Sequence, residues 1–411
     1  MNGSICENDY RVPARCQCVG GIEVITMLIG VDAGGTSTRA VALDSAGRCL
    51  GVGTAGGGNP VSRGPESAAA AVRDAILGAL PGGAGTLTEG SSDPVGPADA
   101  TGPAPGSDVM AGPTIRAEVV LAMAGARAFF DRERVVNQLA EIGLDASITV
   151  EPDLLATFCS GSPEPDGYAL VAGTGAAAVR VQGGRVRATA DGLGWLLGDG
   201  GSGFWIGHRV VRAAAAALDG RGPETRLSAM LLDEVGLTDR VTRNAAGRLT
   251  ALQTLVDRLY QERPVEISRF AALALRAADD GDPVALSILA GARERLAQTL
   301  RAVHRPEVVG PIVVGGGIAR RLPDLDRVLQ AAIGGPAGAD VADVSDVADV
   351  SDVADISDVA DVSHTPGPVV AVPDGAVGAA VLALRRGGIA VDRAVFDRLT
   401  ASVDEARRHA G

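Results

Sequence analysis

The order of hydrophobic and polar positions predicts a chain in which short buried strands alternate with helices. Apolar runs bounded by glycine turns predict strands at 28–32, 38–44, 49–53, 117–123, 148–150, 168–172, 175–181, 185–190, 311–314 and 369–372. Alanine-rich or amphipathic runs predict helices at about 65–80, 131–142, 374–386 and 392–408, and a mostly helical segment over 204–301. This alternation is typical of the α/β class.

Two blocks of the sequence repeat the same arrangement. Residues 28–53 and 168–190 each open with a strand, a glycine-containing turn and a second strand. This duplication predicts two related domains. We expect an irregular extension at 1–26 and an N-terminal domain at 27–145 with a flexible insertion at 81–113. A C-terminal domain should follow at 146–386, with an acidic low-complexity insertion at 340–363. We expect the last segment, 387–411, to form a helix that packs on the N-terminal domain. We expect Met27 to be the true start of the protein.

Composition excludes several classes of protein. All 37 basic residues are arginines, so a Walker P-loop, which needs a lysine, is absent. The net charge of −13 argues against nucleic acid or an anionic membrane as the main partner. The five cysteines show no zinc-binding spacing. Because we find neither a membrane-spanning run nor a signal peptide, we expect a cytoplasmic protein.

The first glycine loop is suited to bind phosphate. Asp32 ends a buried strand, and Gly34, Gly35 and Thr36 follow in a tight turn before the chain returns as a second strand. Backbone N–H groups in such a turn can approach a phosphate, and the carboxylate at its mouth can hold Mg²⁺. An ordinary glycine hairpin is the alternative.

Two further loops extend this pattern. Gly173, Thr174 and Gly175 match the dinucleotide fingerprint by letters, but the chain continues as a strand rather than a helix, which favours a second phosphate hairpin. The third loop, Gly315, Gly316 and Gly317, follows a buried strand and leads towards a helix. Glycines there would let adenosine lie against the backbone, although a short strand-to-helix turn would look the same.

These loops, together with segment 192–207 (GLGWLLGDGGSGFWIG), resemble the N-acetylglucosamine kinase and BadF/BadG/BcrA/BcrD ATPase family of the acetate and sugar kinase–actin superfamily. The resemblance implies two ribonuclease-H-like domains around a nucleotide cleft. It also implies ATP and Mg²⁺ as cofactors and phosphorylation of an amino sugar such as N-acetylglucosamine or glucosamine. Asp32 matches the magnesium-side acid, and the three loops match the two phosphate motifs and the adenosine motif.

The resemblance also implies roles in substrate binding. Asn59 stands where the family's sugar kinases have an asparagine that binds the sugar, and a turn residue is its alternative. Asp199 matches an acid that binds sugar hydroxyls, with a helix N-cap as its alternative. Ser202 follows in the same segment and is placed in the substrate site as well.

The sequence departs from the family at the catalytic base. Arg127 stands where the sugar kinases carry an aspartate, and Gly200 stands where the family usually has glutamate. Asp131 is a candidate replacement for the base, and a helix N-terminal acid is its alternative. Arg127 is also placed among the substrate-binding residues, where it could bind an anionic group such as the carboxylate of N-acetylmuramic acid.

Two alternative functions within the same fold stay open. One is an ATPase or nucleotide sensor without sugar kinase activity, suggested by Arg127. The other is an activator-type ATPase with an iron–sulfur cluster, for which Cys49 and Cys159 do not follow the activators' pattern. We expect a small-molecule amino sugar as partner and neither nucleic acid nor membrane. The resemblance leaves a homodimer open.

Overall fold

The computed structural model describes residues 26–44, 46–81, 115–124, 130–334 and 367–410, which form two compact units. The first unit comprises the chain up to Pro163 and again from Asp374 onward, and the second unit comprises Glu164–Pro373. The first unit is therefore built from two separated parts of the sequence.

A mixed five-stranded sheet lies at the centre of the first unit. Its strands are β1 (Thr26–Ala33), β2 (Thr38–Leu43), β3 (Cys49–Ala55), β4 (Ile115–Met123) and β5 (Leu144–Pro152). The order is β3-β2-β1-β4-β5, with β2 antiparallel to its neighbours and the pairs β1–β4 and β4–β5 parallel. The central strands are buried on both faces, as continuous apolar runs require.

Helices cover both faces of this sheet. They are α1 (Pro60–Arg63), α2 (Pro65–Ala79), α3 (Arg132–Ala140), α4 (Asp153–Gly161), α11 (Ala376–Arg386) and α12 (Arg393–Ala410). The apolar faces of α2 and α3 pack on one side of the sheet, against alternate residues of β1 and β4 such as Ile29 and Val119. On the other side, Ala122 of β4 packs against Ala156 of α4 and Ala379 of α11.

The second unit repeats the sheet and adds a larger group of helices. Its strands are β6 (Gly167–Ala172), β7 (Ala176–Gln182), β8 (Arg185–Asp191), β9 (Ile312–Gly315) and β10 (Val369–Ala371). Its α-helices are α5 (Gly203–Leu218), α6 (Arg226–Glu234), α7 (Thr250–Leu259), α8 (Ala271–Asp279), α9 (Pro283–Val303) and α10 (Leu325–Gly334). Among the helices that the structure describes, none is both long and apolar enough to cross a membrane.

Both sheets have the same topology. The second sheet has the order β10-β9-β6-β7-β8, with β7 antiparallel to β6 and β8, and β9 parallel to β6 and β10. When the strands of each unit are numbered along its own sequence, both sheets have the order third, second, first, fourth, fifth, with the second sheet viewed from β8 to β10. This is the duplicated ribonuclease-H-like arrangement, and it confirms the predicted α/β fold class.

The units are divided elsewhere than we predicted. Strand β5 lies in the first unit, although we began the C-terminal domain at 146, because β5 pairs with β4 along its whole length. Helix α11 also lies in the first unit, since it packs on β1 and α4. Helix α12, which covers most of the predicted segment 387–411, packs on β3 of the first unit. Apart from Thr26 and Pro81, the predicted extension and both insertions lie outside the described residues.

Helix α11 packs unusually closely on its neighbours. A Cβ added at Gly30 of β1 would lie 2.2 Å from the backbone nitrogen of Ala380, and one at Gly378 would lie 1.7 Å from the backbone oxygen of Ala156. The Gly378 N–H donates to Ser160 Oγ at 2.8 Å. Because both close approaches are made to backbone atoms, α11 has a fixed position relative to β1 and α4.

Candidate active site

The parallel strands of the first unit bring polar groups to one edge of the sheet. Asp32 lies near the end of β1 beside Ala122 of β4, and β4 ends at Met123 beside Pro152 of β5. Asp153 follows Pro152 directly as the first residue of α4. Ligands of open α/β sheets bind at the carboxyl ends of the strands, so this edge is the candidate site in the first unit.

The carboxylate of Asp32 is held in surroundings that disfavour its charge. The N–H of Gly375 donates to Asp32 Oδ2 at 2.9 Å. Burial raises the pKa of Asp32 to about 6, with the nearby carboxylates of Asp374 and Asp153 adding to the rise and the Gly375 N–H and Arg39 opposing it. A cation placed next to this carboxylate would offset the cost of its charge.

These acids fit the magnesium ion that the family implies. Asp153 has a pKa raised by burial, and the N–H of Leu154 donates to its Oδ1 at 2.9 Å. Mg²⁺ is usually bound through one or two carboxylates together with water and substrate phosphates. Within the described residues, no group of three or more His, Cys, Asp or Glu side chains could hold a metal. Two such carboxylates would fit a magnesium ion whose other ligands are water and nucleotide phosphate.

The first glycine loop is held by a second loop that follows β3. The Gly34 N–H donates to Ser37 O at 3.0 Å, and the N–H groups of Gly58 and Asn59 donate to Gly34 O at 3.0 and 3.2 Å. A Cβ at Gly57 would lie 2.3 Å from Gly35 O, so only glycine permits this approach. Gly35 and Thr36 are exposed at the tip, where a phosphate can reach their N–H groups.

Asn59 lies at the same sheet edge. Its Oδ1 accepts from the Val61 N–H at 2.9 Å and caps α1, while its Nδ2 donates to Ala124 O, just beyond β4, at 3.3 Å. Asn59 thus joins the first glycine loop to the segment that follows β4. Arg127 belongs to that segment, but residues 125–129 lie outside the described residues.

Asp131 has the contacts of a helix cap. Its Oδ1 accepts from the Arg134 N–H at 3.0 Å, and its Oδ2 accepts from Arg134 Nε at 3.2 Å. The carboxyl is exposed, and its hydrogen bonds with the backbone and side chain of Arg134 lower its pKa. These are the contacts of the helix-terminal alternative, and a carboxylate with a lowered pKa is a weakened proton acceptor.

In the second unit, two loops meet at the end of β6. The Gly203 N–H donates to Gly173 O at 2.7 Å, and the Phe204 N–H donates to Thr174 O at 3.1 Å. From the loop that follows β9, the Ile318 N–H donates to Ala172 O at 3.0 Å. Gly316 in this loop has a φ of 96°, which favours glycine. The structure thus brings together the predicted residues Gly173, Thr174 and Gly175 with Gly315, Gly316 and Gly317.

The carboxylate of Asp199 contacts the backbone of the second glycine loop. Its Oδ1 accepts from the Ala176 N–H at 3.0 Å, and a Cβ at Gly175 would lie 2.8 Å from the same oxygen. Burial, together with the neighbouring charge of Asp191, raises its pKa. The alternative of a helix cap for Asp199 is wrong, because Ser202 caps α5 by accepting from the Trp205 N–H at 3.2 Å. Ser202 is fully buried, which argues against the predicted contact with a sugar.

Asp191 is a supporting residue that was not predicted from the sequence. Its Oδ1 accepts from the Asp199 N–H at 2.6 Å, and its Oδ2 accepts from the Gly200 N–H at 2.9 Å. Asp199 has a φ of 60°, in the left-handed region that a residue with a side chain rarely adopts. Asp191 therefore holds the strained turn that contains Asp199, and the Asp199 carboxylate in turn holds the second glycine hairpin.

We expect Asp191→Asn to destabilise the second unit by about 1–3 kcal/mol, because one of the two N–H groups loses its carboxylate acceptor. Asp199 should then move away from the hairpin, and affinity for ATP should fall. Chemical denaturation and calorimetric titration with ATP measure the two effects. Asp279→Asn, on the exposed end of α8, is the matched control. Equal stability and affinity in both variants would contradict the supporting role.

Three acids beside the candidate loops were thus absent from the prediction: Asp153 and Asp374 in the first unit and Asp191 in the second. Asp153 carried a signal, since an acid immediately after a buried strand is the same pattern that identified Asp32. Asp191 closes an ordinary hairpin strand, and Asp374 precedes a helix, so neither stands out before the chain is folded.

Comparison with known proteins agrees with this geometry. Residues 29–340 match the sequence profile of the BadF/BadG/BcrA/BcrD ATPase family. An N-acetyl-D-glucosamine kinase of Dictyostelium discoideum is 27% identical over 317 residues, 75% of this chain and 90% of that protein. The glucosamine kinase GspK of Vibrio cholerae is 26% identical over 296 residues, 72% of this chain and 86% of that protein.

A solved structure shows the same fold. A Chromobacterium violaceum protein assigned as an N-acetylglucosamine kinase has a TM-score of 0.55 at 23% identity, with 87% of this chain and 99% of that chain covered. At this identity the likeness carries the fold alone. The family profile, however, spans most of the 411 residues. The chain therefore belongs to the BadF/BadG/BcrA/BcrD ATPase family.

Proposed function

We propose that this protein is an ATP-dependent kinase that phosphorylates an amino sugar such as N-acetylglucosamine or glucosamine. The observation that carries the proposal is the repetition of a phosphate-type hairpin at the first strand of both sheets, with Asp32 at the mouth of one of them. The kinase relatives named above supply the substrate class.

Phosphoryl transfer depends mainly on positioning and on neutralising charge. The exposed tips of the two hairpins, at Gly35, Thr36 and Thr174, offer N–H groups to phosphate oxygens. Asp32 and Asp153 would hold Mg²⁺, which neutralises phosphate charge when it is bound. Gly317 is exposed beside the end of β6, where adenosine could lie against the backbone.

The sugar-binding roles belong to the proposal as well. Asn59 reaches the backbone beyond β4 through Nδ2, so it can orient a substrate at that edge of the sheet. Asp199 is mostly buried, with 8% of its surface exposed, and its Oδ1 is engaged by Ala176. We therefore infer that its main contribution is to fix the second hairpin, and that any contact with sugar hydroxyls is made through its other oxygen.

A specific observation favours a second candidate function. The contacts of Asp131 are those of a helix cap, and its lowered pKa makes it a poor base. A general base typically contributes about 100-fold to 10,000-fold to the rate of such a reaction. If Asp131 is no base, the protein could be an ATPase or nucleotide sensor that has lost sugar kinase activity.

The iron–sulfur alternative gains little from the structure. The thiol of Cys159 is buried, and this burial raises its pKa to about 11. Clusters are bound by thiolates, and a thiol with so high a pKa does not form one readily.

Coupled ADP release from ATP and Mg²⁺ tests the proposal. The panel consists of no sugar, glucosamine, N-acetylglucosamine, N-acetylmuramic acid and glucose. We expect one amino sugar to stimulate ADP release by at least ten-fold over the sample without sugar. Equal low turnover with every sugar, together with retained ATP binding, would contradict the kinase and support the second candidate.

Asp131→Asn tests the base directly. If Asp131 acts only as a helix cap, the variant should keep its turnover rate within about two-fold of the wild type and change little in stability, because asparagine also caps helices. A turnover rate lower by about 100-fold or more, with unchanged KM for the sugar, would make Asp131 the base. Asp145→Asn, at an exposed position of β5, is the control.

A further inference from the structure

We propose that Arg407, near the end of the C-terminal helix α12, is a positioning residue for the carboxylate of Asp32. It acts through Asp374 and Gly375, which precede α11. The inference rests on the proposed role of Asp32 at the magnesium ion.

The first step is the ion pair between Arg407 and Asp374. Arg407 Nη2 donates to Asp374 Oδ1 at 2.7 Å and to Oδ2 at 2.9 Å. The side chain of Asp374 is 9% exposed and that of Arg407 27% exposed. Arg39 Nε lies 3.4 Å from Asp374 Oδ2, and the Ala376 N–H donates to Oδ1 at 3.0 Å. The position of the Asp374 carboxylate is thus set from three sides.

The second step runs from Asp374 to Asp32. The next residue, Gly375, donates its N–H to Asp32 Oδ2 at 2.9 Å. A Cβ on Gly375 would lie 3.0–3.3 Å from the carboxylate atoms of Asp32, so the peptide packs directly on that side chain. This hydrogen bond occupies one carboxylate oxygen and orients the group. Whatever fixes Asp374 therefore fixes the orientation of Asp32.

The third step is the repulsion that Arg407 offsets. The negative charges of Asp374 and Asp32 lie close enough to interact unfavourably. With Arg407 in place, Asp374 is ion-paired, and the 374–375 peptide keeps its hydrogen bond from the Gly375 N–H to Asp32. Without Arg407, one fewer cation holds Asp374, and repulsion should move the 374–375 peptide away. Residues that orient a metal ligand in this way typically change metal affinity about 10–100-fold when they are replaced.

Positioning and simple charge predict opposite results. Removing a positive group near a cation site makes the site more negative, which by charge alone should tighten Mg²⁺ binding. Loss of orientation should weaken it. The sign of the change in Mg²⁺ affinity therefore separates a positioning residue from a distant charge.

The experiment compares Arg407→Gln, Arg407→Lys and the control Arg408→Gln with the wild type. Arg408 is the exposed neighbour on the same helix. ADP binding is measured by calorimetry over a series of Mg²⁺ concentrations, and hydrogen exchange of the peptide that contains Gly375 is measured without ligand. We expect Arg407→Gln to raise the half-saturating Mg²⁺ concentration about 10-fold or more and to speed exchange. Arg407→Lys should show a smaller change, since lysine lacks the planar fork of arginine.

Binding of ADP without Mg²⁺ should change less than about two-fold, and Arg408→Gln should behave as wild type. Tighter or unchanged Mg²⁺ binding in a folded Arg407→Gln would overturn the inference, even if exchange increased. If Arg407→Gln fails to fold, Arg407→Lys decides, because unchanged Mg²⁺ dependence and exchange in that variant would also overturn it. A wild type without Mg²⁺-dependent binding would refute the proposed metal role of Asp32 and this inference together, whereas sugar-stimulated ADP release tests the kinase proposal separately.

Discussion

Asp32→Asn should reduce sugar-stimulated ADP release by about 100-fold or more, the largest functional effect that we expect from one substitution. The amide keeps the shape of the side chain and can still accept the Gly375 N–H, but it removes the charge that would hold Mg²⁺. Steady-state ADP release at saturating Mg²⁺ measures the loss. The exposed Asp145→Asn is the control, and retention of activity within a few-fold by Asp32→Asn would contradict the proposed role.

The same substitution should stabilise the protein when metal and nucleotide are absent. The pKa of Asp32 is about 6 in the folded protein, above its ordinary value of 3.8. The folded state then binds the proton more tightly than the unfolded state. The favourable contribution of Asp32 protonation to the free energy of unfolding is therefore complete below about pH 4 and is lost as the pH rises through 6. At pH 7.5 we expect Asp32→Asn to gain roughly 1–3 kcal/mol in free energy of unfolding, and at pH 4 little.

Urea denaturation in the presence of EDTA at both pH values checks this result. Wild type and variant should differ at pH 7.5 and converge at pH 4. A variant that is less stable than the wild type at pH 7.5 would show that the carboxylate makes favourable contacts that outweigh its burial.

Gly378→Ala should have the largest effect on folding. The added Cβ would lie 1.7 Å from the backbone oxygen of Ala156, and both atoms belong to buried helices, α11 and α4. Neither helix can move aside without disturbing the contact between α11 and Gly30 of β1. We expect a loss of more than about 4 kcal/mol, enough to leave the first unit unfolded at 37 °C.

Expression level, circular dichroism and proteolysis measure this loss. Gly56→Ala is the matched control, since nothing lies within 4 Å of the added Cβ at that exposed position. A soluble, stable Gly378→Ala protein with wild-type activity would mean that α11 packs less closely than the structure shows.

The parts of the fold that depend on neighbouring residues could be predicted from the sequence. Strands β1 and β2, and again β6 and β7, are joined by short glycine turns, so apolar alternation and turn residues sufficed to locate both hairpins. The same local signals identified Asp32 and the three glycine loops. Duplication of the hairpins indicated two related sheets.

Features that depend on distant contacts could not be predicted. Strand β5 reads as a short apolar run, and its pairing with β4 decides to which unit it belongs. Asp32 and Gly375 are 343 positions apart, so no periodicity in the sequence links them. The cap at Ser202 escaped notice because the glycines around it resemble a loop, whereas the structure begins α5 at the next residue.

The two-part first unit has a consequence for biosynthesis. The second unit is one continuous segment, Glu164–Pro373, and it leaves the ribosome before α11 does. During this time the sheet of the first unit is incomplete, because the face that α11 later covers is still exposed. This state lasts while some 200 residues of the second unit are translated and begin to fold. A nascent chain that ends before Gly375 also lacks the N–H that orients Asp32. Completion of the nucleotide site is thereby coupled to completion of translation, and a truncated product should neither fold its first unit nor hydrolyse ATP.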